Sequence, residues 1–511
     1  MMGAALAHLP EYLGAHVLLS LSAIALGFAI SLPLAVAVSR LPRLRALALG
    51  IASVIQTIPG LALLALFYPL LLALSAFTLR SFGFGFRALG FLPALLALTL
   101  YSILPVLRNT LTALAGTDPA VLMAARAVGM TPRQSLWKVE LPLAAPFVMA
   151  GLRTASVWVI GTATLSTPVG QTSLGNYIFT GLQTENWVFV LFGCVAAAML
   201  SLVVDRLLAL AESGIATGSR PRLGAAALGL LVVLGTSLAP LVAGADRPVV
   251  VGTKSFEEQY VLGALIEERL QRAGYPSERR DGLGSTVIFR ALRAGDVDVY
   301  VDYSGTLWTT QMHRSDMPGR EVVLKELAQW LARRGVKDLG PLGFENAYAF
   351  AMRADRAKAL GVESLTDLAA VAPRLKIGGD FEIFSRPEWQ AVVRAYGLRF
   401  SMQRQYQANF MYRALVDGDV DVISAFSSDG RIAQYGLKLL ADPRHALPPY
   451  DAVLLVSPRF AADEKFLGVL RPLVGALDLT AMQRANLMVD DAHDKKTPEE
   501  AAAWLTRHST H

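Results

Sequence analysis

Up to about residue 244, the chain alternates between long apolar runs and short polar loops, and beyond that point it changes to short, alternating segments. An apolar run of about 20 residues is long enough to cross a bilayer as a helix, because a helix satisfies its own backbone hydrogen bonds in lipid. The pattern therefore predicts six membrane-spanning runs in the first half. They cover residues 15–38, 48–75, 88–107, 145–166, 187–211 and 223–244.

The second half has the pattern of an α/β protein. Residues 249–253 predict a buried strand, and residues 257–272 predict an amphipathic helix. Residues 290–299 and 413–422 share the sequence RALxxGDVDV, which predicts the same helix, glycine turn and strand twice.

This repeat predicts two α/β lobes of similar build. We expect the first lobe at 249–342 together with the C-terminal helices from 457, and the second lobe at 345–452. A ligand would then bind in the cleft between the lobes, at strand ends and helix N-termini.

Composition and charge separate the two halves. The chain is 53% hydrophobic and 17% charged, which is too apolar for a soluble protein of 511 residues. Residues 1–222 hold 13 Lys and Arg against 6 Asp and Glu, a net charge of +7, whereas the remainder holds 34 against 35, a net charge of −1. The basic balance therefore indicates membrane topology and argues against nucleic-acid binding. The single cysteine, Cys194, excludes an intrachain disulfide.

Lys and Arg residues concentrate near the ends of the first, third and fifth apolar runs and in the loops that follow them. They are Arg40, Arg43, Arg45, Arg108, Arg126, Arg133, Lys138, Arg206, Arg220 and Arg222. Because such residues stay on the cytoplasmic side, we predict the N-terminus outside, the 108–142 loop in the cytoplasm and everything after Ala245 outside. The polar loop 167–186 then faces outward, and we expect it to receive the α/β half.

Two features interrupt the apolar runs. Pro59 breaks the second run within Gln56–Gly60, because proline has no backbone N–H to donate. This break is typical of a transport pathway and, equally, of a kink packed inside a helix bundle. Arg153 lies inside the fourth run, where a charge needs a partner or a water-filled interior. The alternative that we favour is that Arg153 extends to the nearby cytoplasmic boundary.

The sixth run admits two interpretations. Arg220-Pro221-Arg222, an apolar stretch and Ala243-Gly244-Ala245 together have the form of a signal peptide with a cleavage site. We favour a retained membrane helix, because about 20 apolar residues exceed the usual core of a signal peptide.

The polar segment 124–142, AARAVGMTPRQSLWKVELP, predicts two short helices between apolar runs. Gly129 ends the first helix, Thr131-Pro132 begins the second, and Leu141-Pro142 ends it. The segment, within a loop at 113–143, resembles the coupling segment of ABC-importer permeases, whose pattern is EAA-x3-G-x9-I-x-LP. The positions that fit are Ala124, Ala125, Gly129, Val139, Leu141 and Pro142. Met123 replaces the usual Glu, and an ordinary cytoplasmic loop is the alternative.

The second half resembles the substrate-binding proteins of the quaternary-amine (osmoprotectant) uptake family, which bind glycine betaine, carnitine, choline or, in some relatives, ergothioneine. The motifs that carry the resemblance lie at 252–262, 282–286, 296–306, 343–350 and 425–432. The first half resembles the matching permease, including QTIPGLALLAL at 56–66. The resemblance implies an all-α transmembrane permease domain at 1–222, a sixth helix and linker at 223–247, and an α/β two-lobed periplasmic-binding-protein-like (type II) domain at 248–511.

A trimethylammonium group has no N–H to donate, but aromatic faces attract its charge. The resemblance implies an aromatic box with Tyr303 and Tyr348 as two walls. Phe426 stands where the family commonly has Tyr, which keeps the π-face but loses the hydroxyl. The candidates for a fourth wall are Tyr260, Phe381 and Tyr406.

A carboxylate on the ligand needs donors. Ser285 and Thr286 lie at a predicted helix N-terminus, where free N–H groups attract anions, although Ser285 could merely cap its helix. The resemblance implies that Gln259 also contacts the carboxylate. Asp429 would favour a cationic ligand, and Arg431 would pair either with a ligand carboxylate or with Asp429.

The sequence contains no phosphate loop of the form GxxxxGK[ST], so we expect no cofactor in this chain, with ATP on a separate ATPase subunit. We expect two copies of this chain to pair with two ATPase subunits in a bacterial inner membrane and to import a quaternary amine or ergothioneine. The alternative class is a membrane-anchored amine sensor without transport. An enzyme is not expected, because His313, His445 and His493 have no metal-site or nucleophile spacing, and we assign no catalytic or metal-binding residue.

Overall fold

A computed structural model describes residues 2–83, 85–86, 88–184, 186–242, 247–314, 316, 318–491 and 494–508. The chain forms a helical unit, residues 2–179 and 188–244, and an α/β unit, which holds residues 245–511 together with the short segment 180–187. The predicted fold class, helical and then α/β, is confirmed. The proposed cleavage site after Ala245 and the residue His493 lie outside the described residues.

Most of the described residues up to Val242 are helical. The helices are α1 (Met2–Val38), α2 (Pro42–Thr57), α3 (Gly60–Phe82), α4 (Phe91–Ala115), α5 (Pro119–Ala127), α6 (Pro132–Ser135), α7 (Leu141–Ala163), α8 (Gly175–Gln183), α9 (Trp187–Thr217) and α10 (Arg220–Val242). Within the described residues, five stretches are long and apolar enough to cross a membrane: His8–Val38, Gly60–Phe82, Phe91–Ala115, Pro132–Val169 and Trp187–Thr217. The sixth predicted run forms α10, which is not among these five.

Glycines allow helices of the membrane unit to approach closely. A methyl group at Gly27 would lie 1.6 Å from the Ser102 hydroxyl oxygen, so α1 and α4 touch through this glycine. A methyl group at Gly151 would lie 2.9 Å from Cβ of Asn109, so α4 and α7 also meet at a glycine. Small residues at such crossings increase van der Waals contact, which stabilises helix pairs in lipid.

The break in the second apolar run lies between α2 and α3, at Ile58 and Pro59. The Tyr101 hydroxyl donates a hydrogen bond to the Ile58 carbonyl at 2.5 Å, and Gln56 Nε2 donates to the Tyr101 carbonyl at 3.2 Å. α4 thus provides a partner for a carbonyl that the proline break leaves outside the helix. The packed-kink interpretation accounts for these contacts.

Arg153 of α7 has two acidic partners on α9, as expected if a charge inside this apolar run needs a partner. Its Nε lies 2.9 Å from an Asp205 oxygen, and its Nη1 lies 2.9 Å from a Glu212 oxygen. Asp205 and Glu212 are seven residues apart, about two helical turns, so they share one face of α9.

The coupling segment begins as predicted and ends differently. Gly129 has φ +81° after α5, and Thr131 and Gln134 form a capping box at the start of α6. The prediction that Leu141-Pro142 ends this helix is wrong, because α6 continues through a π-helical turn at Leu136–Glu140 into α7. In this wide turn Leu141 N–H donates to the Leu136 carbonyl, and the wider turn accommodates a proline next in the chain.

The α/β unit contains two five-stranded mixed sheets. Its strands are β1 (Val249–Lys254), β2 (Ser277–Leu283), β3 (Val299–Tyr303), β4 (Lys337–Glu345), β5 (Tyr348–Arg353), β6 (Lys376–Gly379), β7 (Met402–Gln405), β8 (Val422–Phe426), β9 (Leu437–Leu440) and β10 (Asp451–Val456). The strand orders are β2-β1-β3-β10-β4 and β7-β6-β8-β5-β9, with β10 antiparallel to β3 and β5 antiparallel to β8.

Helices cover both sheets of the α/β unit. They are α11 (Glu257–Arg272), α12 (Ser285–Ala294), α13 (Ser304–Thr306), α14 (Arg320–Ala332), α15 (Ala354–Leu360), α16 (Leu365–Val371), α17 (Pro387–Tyr396), α18 (Ala408–Val416), α19 (Arg431–Gln434), α20 (Glu464–Leu470), α21 (Leu479–Asp490) and α22 (Pro498–His508). The predicted second lobe, 345–452, is slightly too long, because Glu345 and Asp451 belong to strands of the first sheet.

The repeated sequence RALxxGDVDV adopts the same structure in both lobes. Gly295 and Gly418 have φ +74° and +82°, and each follows a helix and precedes a central strand. The Asp298 carboxylate accepts the Val250 N–H, and the Asp421 carboxylate accepts the Lys376 N–H. Each aspartate thereby links its strand to the neighbouring parallel strand. In both copies the glycine makes the turn that follows the helix, and the aspartate fixes the strand that comes after the turn.

Candidate functional site

A cavity of about 210 Å³ lies between the two lobes, where the strands of both sheets end. Tyr303 and Phe426 are the last residues of β3 and β8, and Lys254 is the last residue of β1. Tyr348 begins β5, which is antiparallel and therefore presents its first residue at the same edge. Residues of the α/β unit that line the cavity are Lys254, Ser255, Phe256, Leu283, Ser285, Tyr303, Thr306, Asn346, Tyr348, Asp380, Phe381, Glu382, Arg386, Tyr406, Gln407, Phe426 and Tyr450.

Aromatic rings from both lobes form a continuous surface in this cavity. The Phe256 and Phe426 rings are parallel within 2°, with centroids 6.2 Å apart. Phe256 also lies 6.0 Å from Tyr303, and Phe426 lies 5.0 Å from Tyr348. Tyr450 meets Tyr348 edge to face at 5.7 Å. Such a surface attracts a cation that has no N–H groups.

The Tyr303 ring is fixed from behind by α11. Its hydroxyl donates to Glu258 Oε1 at 2.5 Å and accepts from Gln259 Nε2 at 2.9 Å. Burial, reinforced by Glu258, raises the pKa of Tyr303 well above its usual value, so the hydroxyl stays protonated. Gln259 therefore positions Tyr303, and it does not line the cavity.

Two protein cations lie beside the aromatic surface. Lys254 Nζ is 5.1 Å from the centre of the Tyr303 ring and forms a buried ion pair with Asp302. Arg386 Cζ is 5.5 Å from the centre of the Tyr348 ring, and its Nη2 pairs with Glu382. Two positively charged side chains, each paired with a carboxylate, thus line the cavity beside its aromatic surface.

Arg386 is the most informative polar residue of the site. It is 7% exposed, and among the described residues its Nε and Nη1 atoms have no hydrogen-bond partner. Burial opposes its charge, but Tyr348, Glu382 and Glu388 keep its pKa above the usual value, so the guanidinium remains charged. Two buried donor nitrogens without a hydrogen-bond acceptor cost free energy, which an acceptor on a ligand would recover.

Asp380 connects the second lobe to the aromatic surface. One of its oxygens accepts the N–H groups of Glu382 and Ile383, and the other accepts the Tyr348 hydroxyl at 3.1 Å. Burial raises the pKa of Asp380, while the two backbone donors and Arg386 oppose that rise. The carboxylate thus fixes the Tyr348 ring in the way that Glu258 fixes Tyr303.

The other residues predicted for the ligand are placed as follows. Ser285 lines the cavity as the first residue of α12, and Gly284 occupies the cap position that the alternative assigned to Ser285. Thr286 lies in the first turn of the same helix. Asp429 and Arg431 lie outside the cavity lining and pair with each other at 2.7 Å, which is the structural alternative for Arg431.

For the fourth wall, Tyr260 is fully buried in the first lobe and does not line the cavity, whereas Phe381 and Tyr406 do. Sequence reasoning missed the wall residues Phe256 and Tyr450. It also missed Lys254, Thr306, Asp380 and Arg386. Lys254 and Thr306 lie inside the motifs 252–262 and 296–306, so their position at strand and motif ends could have identified them.

The coupling segment has an apolar surface of its own. Met123, Val128 and Trp137 are 69%, 73% and 62% exposed. Ala125 is buried and Ala124 is exposed, so α5 presents one face outward. Exposed apolar side chains that adjoin one another are typical of a surface that binds another protein.

Comparisons with known proteins agree with the division of the chain into a helical unit and an α/β unit. Residues 247–507 match the family described as the substrate binding domain of an ABC-type glycine betaine transport system. Residues 27–217 match the family described as the binding-protein-dependent transport system inner membrane component.

Curated relatives match either the whole chain or one of its halves. The ergothioneine transport permease/ergothioneine binding protein of Helicobacter pylori (strain G27) is 28% identical over 90% of this chain and 82% of its own length. A choline transport system permease protein of Bacillus subtilis (strain 168) is 39% identical over 41% of this chain and 88% of its own length. The glycine-betaine-binding protein of Pseudomonas aeruginosa is 29% identical over 50% of this chain and 86% of its own length.

These matches confirm the resemblance that the motifs predicted, together with the transport role, the multi-pass membrane location and the extracytoplasmic binding domain. The first family match spans just over half of the chain. The chain therefore belongs to the family of substrate-binding domains of ABC-type glycine betaine transport systems, in which it is fused to a transport-system membrane component.

Proposed function

We propose that this chain is the receptor and membrane subunit of an ATP-driven importer for a zwitterion that carries a trimethylammonium group and a carboxylate. The observation that carries the proposal is the position of Arg386 beside an aromatic surface, with two buried nitrogen atoms, Nε and Nη1, that have no hydrogen-bond partner among the described residues. Each aromatic face that contacts the trimethylammonium group contributes about 0.5–2 kcal/mol when water is excluded.

The carboxylate decides between candidate ligands. Glycine betaine and carnitine carry one, and it would accept hydrogen bonds from Arg386 and from the Thr306 and Ser285 hydroxyls. Choline offers only a neutral hydroxyl, so it would compensate the buried guanidinium less well, by about 1–3 kcal/mol. We therefore rank glycine betaine and carnitine above choline.

Ergothioneine is the second candidate, because the Helicobacter pylori relative named for it matches both halves of this chain. Ergothioneine also carries a trimethylammonium group and a carboxylate, and it adds an imidazole-thione ring. Phe426, which has no hydroxyl, provides an apolar face of the kind that such a ring would contact.

Energy for uptake would come from a separate ATPase subunit, with ATP bound there. Two copies of this chain would associate with two ATPase subunits, which would bind the exposed residues Met123, Val128 and Trp137 of the coupling segment. The ligand-bound receptor would dock on the polar loop 167–186. Docking of the receptor and binding of ATP would each favour one of two conformations of the membrane pathway, because each binds that conformation more tightly than the other.

The ligand is tested by calorimetry of the full chain in lipid nanodiscs against glycine betaine, carnitine, ergothioneine and choline. We expect micromolar or tighter binding to at least one of the first three. Arg386→Met should weaken that ligand by at least about tenfold and choline by less than about threefold. Arg404→Met, an exposed arginine on β7, is the matched control. Equal losses for both ligands would contradict the carboxylate assignment.

Transport is tested separately. Vesicles that contain this chain and its ATPase should accumulate the ligand only with ATP. Binding without any ATP-dependent accumulation would favour the sensor alternative.

A further inference from the structure

A second buried charged cluster lies outside the ligand cavity and joins the two lobes. Arg431 of the second lobe contacts Glu257 at 2.5 Å and Asp490 at 3.3 Å, both in the first lobe, and Asp429 of its own lobe at 2.7 Å. All four residues are at most 8% exposed. The cluster adjoins the aromatic surface, because Phe256 and Phe426 line the same small pocket as Glu257 and Asp429.

The cluster holds more acids than bases. The three carboxylates have oxygens within 4.8 Å of one another, and one guanidinium lies among them. Other charged or titratable groups also face the cluster: Glu258 of α11, Tyr412 of α18, whose ring is 4.4 Å from Arg431 Cζ, and Lys495, which follows α21. If every carboxyl were ionised, Arg431 and Lys495 together would leave negative charge uncompensated in a buried site.

The unsatisfied atoms identify where a further ligand would bind. Glu257 Oε2 and both oxygens of Asp490 have no hydrogen-bond partner among the described residues, although they are buried. Burial, opposed by Arg431 and reinforced by the nearby acids, raises the pKa of Glu257 to about 7. Burial also raises the pKa of Asp490 well above its usual value.

We propose that the Glu257–Asp490 pair is a proton-binding site, and that the bound proton stabilises the junction between the two lobes. A proton fits better than a metal ion, because the Arg431 guanidinium already lies within 3.3 Å of all three carboxylates and would repel a second cation. The proton removes one negative charge and supplies an O–H donor to a site that has acceptors in excess.

Proton binding at this pair makes the stability of the folded chain depend on pH. A carboxyl whose pKa is higher in the folded than in the unfolded chain binds more protons when folded, so stability falls as pH rises through the folded pKa. The thermal unfolding midpoint of the full chain in nanodiscs should therefore drop by about 4 °C between pH 5.5 and pH 8. Glu257→Gln and Asp490→Asn should each remove most of this drop, because the remaining carboxylate then pairs with Arg431.

Infrared spectroscopy supplies a readout that a merely structural role would not change. A protonated carboxyl gives a carbonyl band that an ionised carboxylate lacks. At pH 7 the wild-type chain should show this band, Glu257→Gln and Asp490→Asn should lose it, and Asp338→Asn should keep it. Asp338 is the matched control, because burial also raises its pKa and it lies outside the cluster.

Two results would overturn the proposal. One is a band that persists in both cluster variants, which would place the proton elsewhere. The other is an unfolding midpoint that depends on sodium, potassium or calcium at constant ionic strength, which would indicate a cation site. Neither result bears on the ligand or on transport, since these experiments use the chain without a transported solute.

Discussion

The Tyr450 hydroxyl donates a hydrogen bond of 2.5 Å to Glu388 Oε1, and this bond joins the two lobes beneath the ligand cavity. Glu388 is fully buried in α17 of the second lobe, and Tyr450 immediately precedes β10 of the first sheet. The same carboxylate oxygen accepts the Thr309 hydroxyl at 2.8 Å and lies 3.6 Å from Arg386 Nη1. Glu388 thus fixes the Tyr450 ring, which lines the cavity, and lies beside Arg386.

Tyr450→Phe should destabilise the α/β unit. The substitution removes one of the two hydroxyl donors to Glu388, whose Oε2 already has no partner among the described residues. Losing a hydrogen bond to a buried charge costs about 1–3 kcal/mol, and we expect the free energy of unfolding to fall by that amount. Urea unfolding followed by tryptophan fluorescence measures it. Tyr406→Phe, which lines the same cavity but does not contact Glu388, should change stability by less than about 0.5 kcal/mol.

Tyr303→Ala and Tyr348→Ala should each weaken binding of the trimethylammonium ligand by about tenfold or more. Each substitution removes a ring from the cavity wall. The ligand then loses a cation–π contact of about 0.5–2 kcal/mol, and it also loses apolar contact with that ring. Calorimetry of the full chain measures the change. Phe410→Ala on α18, an exposed aromatic outside the cavity lining, is the matched control and should leave affinity unchanged. Unchanged affinity in both tyrosine variants would refute the aromatic-wall assignment.

Sequence reasoning identified those elements that short-range chemistry specifies. The glycines Gly295 and Gly418 require positive φ, so the repeated motif predicted two equivalent helix–strand units before any contact was known. Gly129 ends α5 for the same reason. Tyr303 and Phe426 lie at strand ends within recognisable motifs, so their place at the cleft edge also followed from the chain.

Residues whose partners lie far away in the chain could not be predicted in this way. Arg153 pairs with Asp205 across 52 residues, and nothing in the local pattern distinguishes that pairing from an extended side chain. Tyr450 lies outside every quoted motif and reaches the cavity only because β10 returns to the first sheet. Nothing in the local sequence distinguishes Arg386 from other arginines, because its importance comes from its place beside Tyr348 and from two nitrogen atoms, Nε and Nη1, that have no hydrogen-bond partner among the described residues.

Arg153→Met should lower the stability of the membrane unit. It leaves Asp205 and Glu212 without their guanidinium partner on one face of α9, and breaking a partly buried ion pair by removing one partner is strongly destabilising. We expect the unfolding midpoint of the detergent-solubilised chain to drop by about 5 °C. The triple variant Arg153→Met, Asp205→Asn, Glu212→Gln should recover most of the loss.

Arg206→Met is the matched control for this prediction, because Arg206 lies on α9 beside Asp205 and is exposed. If the single and triple variants were equally unstable, lost packing rather than uncompensated charge would explain the effect, and the ion-pair argument would fail.

Gly129→Val should separate transport from ligand binding. A methyl group at Gly129 meets nothing within 4 Å, so the substitution adds no clash, but the backbone has φ +81°, where a side chain costs about 1–2 kcal/mol. The turn between α5 and α6 should shift and displace the exposed residues Val128 and Trp137, which we propose bind the ATPase. ATP-dependent uptake into vesicles should fall by at least about tenfold, whereas calorimetric ligand affinity should stay within about twofold of wild type. Gly50→Ala on α2 is the control, because a methyl group there also meets nothing within 4 Å and the backbone is helical, so uptake and affinity should both stay unchanged. Normal uptake by Gly129→Val would contradict the coupling role.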